Sequence, residues 1–188
     1  AFPQALPIVF ERQHRRLLDV GGNTGKWAIQ CARYSAGVSV TILDHPGLVA
    51  AATRNAEELG LQDRITVRAV ELLDHSLPFP AGYDAIWMSQ FLTCLGEDDA
   101  LGVLKRAAAA MGQDGTLYIL DTFWDRQKYE ASTYCLQAIS LYFTCLANGR
   151  SRMYKASDVT AMVEAAGMKV DRVVDDLGIS SSLLICRR

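Results

Sequence analysis

The sequence predicts an α/β fold, a doubly wound, mostly parallel sheet of seven strands whose last strand runs antiparallel. Three observations predict it. Short apolar or β-branched runs alternate with alanine-rich segments of helical spacing, the first run ends in a glycine cluster that opens a helix, and the last two runs follow each other without a helix between them. Composition agrees. Of 188 residues half are hydrophobic and 21% are charged, the balance of an ordinary globular chain. A core of this size already buries roughly 70% of the surface its unfolded chain exposes, so one domain over 1–188 is expected.

Residues 17–20 are the first strand, Gly21-Gly22-Asn23-Thr24-Gly25 the loop, and residues 27–34 a helix with Trp27, Ile29, Cys31 and Ala32 at helical spacing. Residues 38–43 form the second strand, ending at Asp44-His45-Pro46-Gly47, and residues 48–59 the second helix, closed by Gly60. Residues 65–70 give the third strand, and the Pro78-Phe79-Pro80-Ala81-Gly82 loop leads into the fourth, 83–88. Glu97-Asp98-Asp99 place negative charge at the start of a helix running to Met111; Gly112 to Gly115 stop it before the fifth strand, 116–120. A helical insertion around 125–150 puts Tyr134, Ala138, Leu141 and Cys145 on one face. Ser157-Asp158 cap a helix through Ala166, and residues 169–174 and 181–186 close the sheet as an antiparallel pair.

Charge narrows the partners. Lysine plus arginine (19) nearly balance aspartate plus glutamate (21), so no field concentrates nucleic acid or anionic lipid at the surface. No run approaches the roughly 18 apolar residues of a spanning helix. The five cysteines, Cys31, Cys94, Cys135, Cys145 and Cys186, are odd in number and form no Cys-x-x-Cys pair, which predicts free thiols in a cytoplasmic protein without a structural metal. The only histidines, His14, His45 and His75, fall in polar stretches or beside turns, where surface or capping roles are expected.

In a doubly wound sheet the ligand lies outside the carboxyl ends of the strands, against the loop after the first. Three ligand classes compete for such a glycine loop. A dinucleotide fingerprint needs Gly-x-Gly-x-x-Gly, and Asn23 breaks that spacing. A phosphate loop needs four residues between its glycine and the Gly-Lys pair; here there are three, and Trp27 replaces the hydroxyl residue that would bind magnesium. Asp19 decides for the third class, because a carboxylate there attracts a cationic ligand and repels a pyrophosphate. Asp44, 23 residues after Gly21, can accept both hydroxyls of a ribose. Together they indicate a cationic adenosyl compound, S-adenosylmethionine. The competing view is that the glycines only make a tight turn and that Asp44 caps the next helix.

The order of Asp19-Val20-Gly21-Gly22-Asn23-Thr24-Gly25, Asp44-His45-Pro46, Tyr83-Asp84-Ala85 and Gly115-Thr116-Leu117-Tyr118-Ile119-Leu120-Asp121 resembles the catalytic domain of family 2 O-methyltransferases, the caffeic acid and hydroxyindole group. The resemblance implies a Rossmann-like class I methyltransferase sheet binding S-adenosylmethionine, with S-adenosylhomocysteine as product and no metal. It places Gly21, Gly22 and Gly25 under the methionine part and Asp44 at the ribose; Asp19, Asn23 and, beside Asp44 at the cofactor mouth, His45 are the further cofactor-binding candidates. Glu71 and Leu72 stand where the family touches adenine, and Ser89 and Gln90 near the methionine moiety, where contacts would be made by backbone atoms. Thr93 occupies the family's catalytic histidine position, and its hydroxyl accepts no proton near neutral pH, so the catalytic group is unassigned. Phe91, Phe123 and Tyr134 are the candidates for an acceptor pocket, against a core role.

The function implied is methyl transfer to a small aromatic or polyketide-like acceptor, most readily on oxygen. Two alternatives remain: a chain that binds the donor without transferring its methyl, suggested by Thr93, and a nicotinamide oxidoreductase, disfavoured by Asp19 and Asn23. Family members carry an N-terminal helical domain that dimerises. The short lead before residue 17 implies that this part was removed or that this version works without it, and a homodimer through it is the partner the resemblance suggests.

Overall fold

The computed structural model describes residues 1–188. A leading helix α1 (Phe2–Val9) precedes β1 (Arg16–Val20), α2 (Lys26–Tyr34), β2 (Ser39–Asp44), α3 (Val49–Glu58), β3 (Ile65–Ala69), β4 (Tyr83–Ser89), α4 (Glu97–Ala110), β5 (Met111–Asp121), α5 (Glu130–Tyr142), α6 (Ala156–Ala165), β6 (Lys169–Leu177) and β7 (Ser181–Arg187). The seven strands form one sheet in the order β3-β2-β1-β4-β5-β7-β6. Only β7 runs against both of its neighbours. The winding reverses between β1 and β4, whose parallel register pairs Leu17 with Ala85 and Val20 with Met88.

Side-chain alternation splits β1 between two cores. Leu18 and Val20 join Ile86, Met88, Leu104 and Val163 on one face, and Leu17 joins Trp27, Cys31, Ile42 and Trp87 on the other. Both faces being covered, the central strands are nearly continuous apolar runs. Helices α3 and α6 end in the same way: Leu61 N–H donates to Ala56 O at 2.8 Å past Gly60, and Met168 N–H to Val163 O at 3.1 Å past Gly167.

Four details depart from the sequence reading. Helix α1 went unread because Pro3 and Pro7 argue against helix; Pro3 sits in the first turn, where no N–H is needed, and burial of Ala5, Leu6 and Val9 offsets the bond lost at Pro7. Strand β5 begins at Met111 rather than 116, and the glycine-rich residues 112–115 form an irregularity between the Met111–Tyr83 and Thr116–Ala85 pairs. Helix α6 starts at Ala156, whose N–H donates to Asp125 Oδ1 at 2.7 Å, while Asp158 accepts from Lys155 N–H at 3.3 Å, so Ser157 is not the cap. The face of Tyr134, Leu141 and Cys145 on the 125–150 segment is solvent-exposed, and α5 buries only Leu136.

His14 corrects the expectation of a surface histidine. It is buried, with Nε2 2.8 Å from the Tyr118 hydroxyl and Nδ1 3.6 Å from Asp84. Burial holds its pKa below 6.5 despite Asp84. The unfolded chain therefore takes up a proton below about pH 6.5 that the folded chain refuses, and stability contributed by neutral His14 is lost as pH falls through that window. The wild-type advantage over His14→Gln in urea unfolding should shrink below pH 6.5, by at most about 1.4 kcal/mol per pH unit. Parallel stability curves for the two proteins would show that His14 is not buried neutral.

Candidate active site

The glycine loop leaves β1 with Gly21 at φ +73° and enters α2 through Gly25 at φ +77°, left-handed positions that a side chain would strain. Asn23 adopts the same region at φ 49°, tolerable for asparagine. Gly22 is demanded by space: a Cβ there would lie 2.7 Å from Asp19 Oδ2 and 2.8 Å from Ile42 Cγ2. Gly21 lies against the Phe91 ring, which a Cβ would meet at 2.5 Å.

The loop is tied down by Asp44. Its Oδ2 accepts the Asn23 N–H at 2.6 Å and its Oδ1 the His45 N–H at 2.7 Å, while Gly21 N–H donates to Leu43 O at 2.8 Å. The end of β2 thus holds the loop after β1. Asp19 lies in the cleft beside it, 2% exposed, with Oδ2 buried and without a hydrogen-bond partner. Burial, and behind it the charge of Asp44, push the Asp19 carboxyl up to about 8.

A cleft of about 320 Å³ opens at this place, and its walls include Asp19, Gly22, Asn23, Lys26, Ser89 and Gln90. Phe2 also lines it, its ring edge-on to Trp27 at 5.3 Å, and Trp27 stacks on Trp87 at 3.7 Å. A wider hollow of about 580 Å³ lies among Arg12, His14, Arg15 and Tyr34, at the amino ends of the strands. Ligands of doubly wound sheets bind at the opposite edge, which favours the smaller cleft.

Of the residues singled out from the sequence, Asp19, Gly21, Gly22, Asn23, Ser89 and Gln90 line this cleft. His45 and Glu71 meet each other, Nε2 to Oε2 3.4 Å, both about half exposed. Leu72 is buried, and its carbonyl accepts from Arg106 Nη1 at 2.7 Å. Gln90, at φ 49°, donates its N–H to Leu120 O at 2.9 Å and so fixes the turn after β4. Phe91 is half-buried against Gly21, and Thr93 half-buried in the short turn Leu92–Cys94. The other two pocket candidates fall elsewhere: Phe123 is buried in the core with Leu92 and Tyr154, and Tyr134 is 73% exposed on α5. The acidic start of α4 is ion-paired, Glu97 to Arg152 and Asp99 to Arg150 and His75.

Three contributors escaped the sequence reading. Phe2 enters the site only through α1, and Trp87 only through tertiary stacking, so neither has a local signal. Arg106 stacks over Phe79 at 4.1 Å while gripping Leu72, anchoring the loop after β3 from a helix more than thirty residues away.

A family model described as an O-methyltransferase domain matches residues 6–169, and the chain belongs to that family. It is 27% identical over 160 residues to 3-hydroxy-5-methyl-1-naphthoate 3-O-methyltransferase of Streptomyces sahachiroi, covering 85% of this chain and 45% of that protein. It is 30% identical over 107 residues to aclacinomycin 10-hydroxylase of Streptomyces purpurascens, covering 57% and 28%. The chain therefore spans less than half the length of these curated relatives. An O-methyltransferase from neocarzinostatin biosynthesis, solved with S-adenosylmethionine and 2-hydroxy-5-methyl naphthoic acid, has the same fold, with a TM-score of 0.77, 22% identity and coverage of 92% of this chain and 48% of that one.

Asp44→Ala should destabilise the ligand-free chain, because two N–H groups lose a charged acceptor, at about 1.5–3 kcal/mol per charged bond. Chemical denaturation without ligand measures it. Wild-type stability in the variant would show that the carboxylate does not hold the loop.

Proposed function

We propose that this O-methyltransferase family member transfers a methyl group from S-adenosylmethionine to a hydroxyl of a small aromatic or polyketide-like acceptor. One observation carries the proposal: a buried carboxylate oxygen of Asp19, without a partner, beside a three-glycine loop. Such an oxygen is costly to leave unpaired, and an ammonium group satisfies it in both charge and hydrogen bonding. The hydroxynaphthoate named for the Streptomyces sahachiroi relative and the naphthoic acid in the neocarzinostatin structure support the acceptor class.

The residues fit the donor. Asp19 faces its ammonium, and Gly21, Gly22, Asn23 and Gly25 let backbone approach its methionine part. The Asp44 oxygens keep lone pairs for ribose hydroxyls beyond the two N–H groups they accept. On this reading His45 and Glu71 stand at the rim, and Leu72 offers an apolar wall to adenine. Bound there, S-adenosylmethionine supplies an electrophilic methyl on a sulfonium. Positioning of the acceptor in line with it supplies much of the acceleration. Phe91, packed under Gly21, joins the donor loop to the acceptor side. The five unpaired cysteines suit a reducing cytoplasm, and a homodimer belongs to the same reading.

A second reading is donor binding without methyl transfer, favoured by Thr93 at the family's base position and by the relative named as a hydroxylase. Formation of S-adenosylhomocysteine with a hydroxynaphthoate acceptor eliminates it.

Calorimetric titration tests the donor site. Below about pH 8 the free chain holds a proton on Asp19 that the ligand's ammonium must expel. Affinity for S-adenosylhomocysteine should therefore rise from pH 6 to pH 7.5, by at most about tenfold per unit. Asp19→Asn should bind more weakly and lose that slope. Tighter binding of NADH than of either adenosyl compound would turn the assignment to an oxidoreductase.

A further inference from the structure

The carboxyl edge of the sheet holds one buried acid that the donor does not use. Asp19, Asp44 and Glu71 belong to β1, β2 and the turn after β3, on one side of β4, whereas Asp121 closes β5 on the other. The donor cleft reaches across to Ser89 and Gln90 at the end of β4. On the methyl-transfer reading we place the acceptor on the β4–β5 side, over the turn that carries Phe91 and Thr93.

Asp121 stands at that place. It is 3% exposed, and its Oδ1 accepts the Thr122 N–H at 2.8 Å. The backbone N–H of Thr93 faces the same carboxylate, and the Gln90 N–H bonds to Leu120 O, one residue before it. The titratable group facing it from the Leu92–Cys94 turn is the Cys94 thiol, raised by burial first and by the Asp121 charge second. From β7 its register partner is Ser182, whose hydroxyl donates to Asp175 at 2.7 Å, and Asp175 is already paired with Arg126. No cation is bonded to Asp121. Burial pushes its carboxyl up to about 7 against the lowering effect of the Thr122 and Thr93 amides.

We propose that Asp121 is the base of the acceptor site, standing in for the histidine that Thr93 replaces. The proposal rests on the methyl-transfer reading. The carboxylate takes the proton of the acceptor hydroxyl as that oxygen forms its bond to the methyl carbon. The carbon–sulfur bond breaks with its electron pair left on sulfur, and the protonated Asp121 returns its proton to solvent. A group that titrates near the working pH is suited to this task, while the amides of Thr93 and Thr122 hold the carboxylate in place.

The test compares the chain and Asp121→Asn, with S-adenosylmethionine and two probes, a hydroxynaphthoate whose hydroxyl is neutral at pH 7 and a dinitrophenol already ionised there. Asp121→Asn should reduce kcat/KM for the first by about 10²–10⁴-fold and leave the second nearly unchanged. Affinity for S-adenosylhomocysteine should not change. In the unsubstituted chain, kcat/KM for the first probe should rise with pH through about 7 and stay flat for the second. Carbon-13 NMR of chain labelled at aspartate Cγ should show a carboxyl titrating near that pH and missing from Asp121→Asn. Equal losses with both probes, or a carboxyl titrating below pH 5, would overturn the base role. An unsubstituted chain that binds S-adenosylhomocysteine yet turns over neither probe would defeat the methyl-transfer reading itself.

Discussion

The Asp44 carboxylate is the interaction on which the site depends. It ends β2, yet its two oxygens accept N–H groups from Asn23, in the loop after β1, and from His45. Charged acceptors make stronger hydrogen bonds than carbonyls, so one side chain sets the path of a loop whose glycines have no side chains to pack. With the loop fixed, Gly22 leaves Asp19 its room, Gly21 rests on Phe91, and the cleft has a floor. Asp44 does not cap α3, whose N-cap is Leu48; it ties down the glycine loop, and an oxygen that accepts an amide keeps capacity for a further hydrogen bond.

Electrostatic strain follows from the same geometry. Two carboxylates, Asp19 and Asp44, lie at the ends of adjacent strands, both nearly free of solvent. Burial first and the charge of Asp44 second raise the affinity of Asp19 for a proton, against the lowering effect of the Ala28 amide. On the proposed reading, the donor's ammonium would meet the buried Asp19 oxygen that no protein group satisfies. Phosphate chemistry there would worsen the repulsion.

The donor half was legible because its signals are local. Glycine spacing, a carboxylate two residues earlier and another at the next strand end all lie within a short stretch, and strand–helix alternation places that stretch at the sheet edge. The acceptor half was not. Aromatic spacing cannot separate a pocket wall from a core: Phe123 turned inward with Leu92 and Tyr154, Tyr134 outward, and only Phe91 reached the site. His14 was misread for the same reason, because its polar neighbours in sequence say nothing of Tyr118, which reaches it across the fold. Helix α1 was hidden by prolines whose penalty tertiary burial absorbs.

The sheet order also separates the two chemical tasks. On the proposed reading, charge recognition of the donor falls to β1 and β2 and removal of a proton to β5, with β4 between them. Thr93 lies in the Leu92–Cys94 turn, with its backbone N–H on the Asp121 side, and takes no part in the hydrogen bonds of Asp44. Loss of the expected imidazole is therefore weak evidence against methyl transfer, and the unpaired oxygen of Asp19 is the stronger evidence for a cationic ligand.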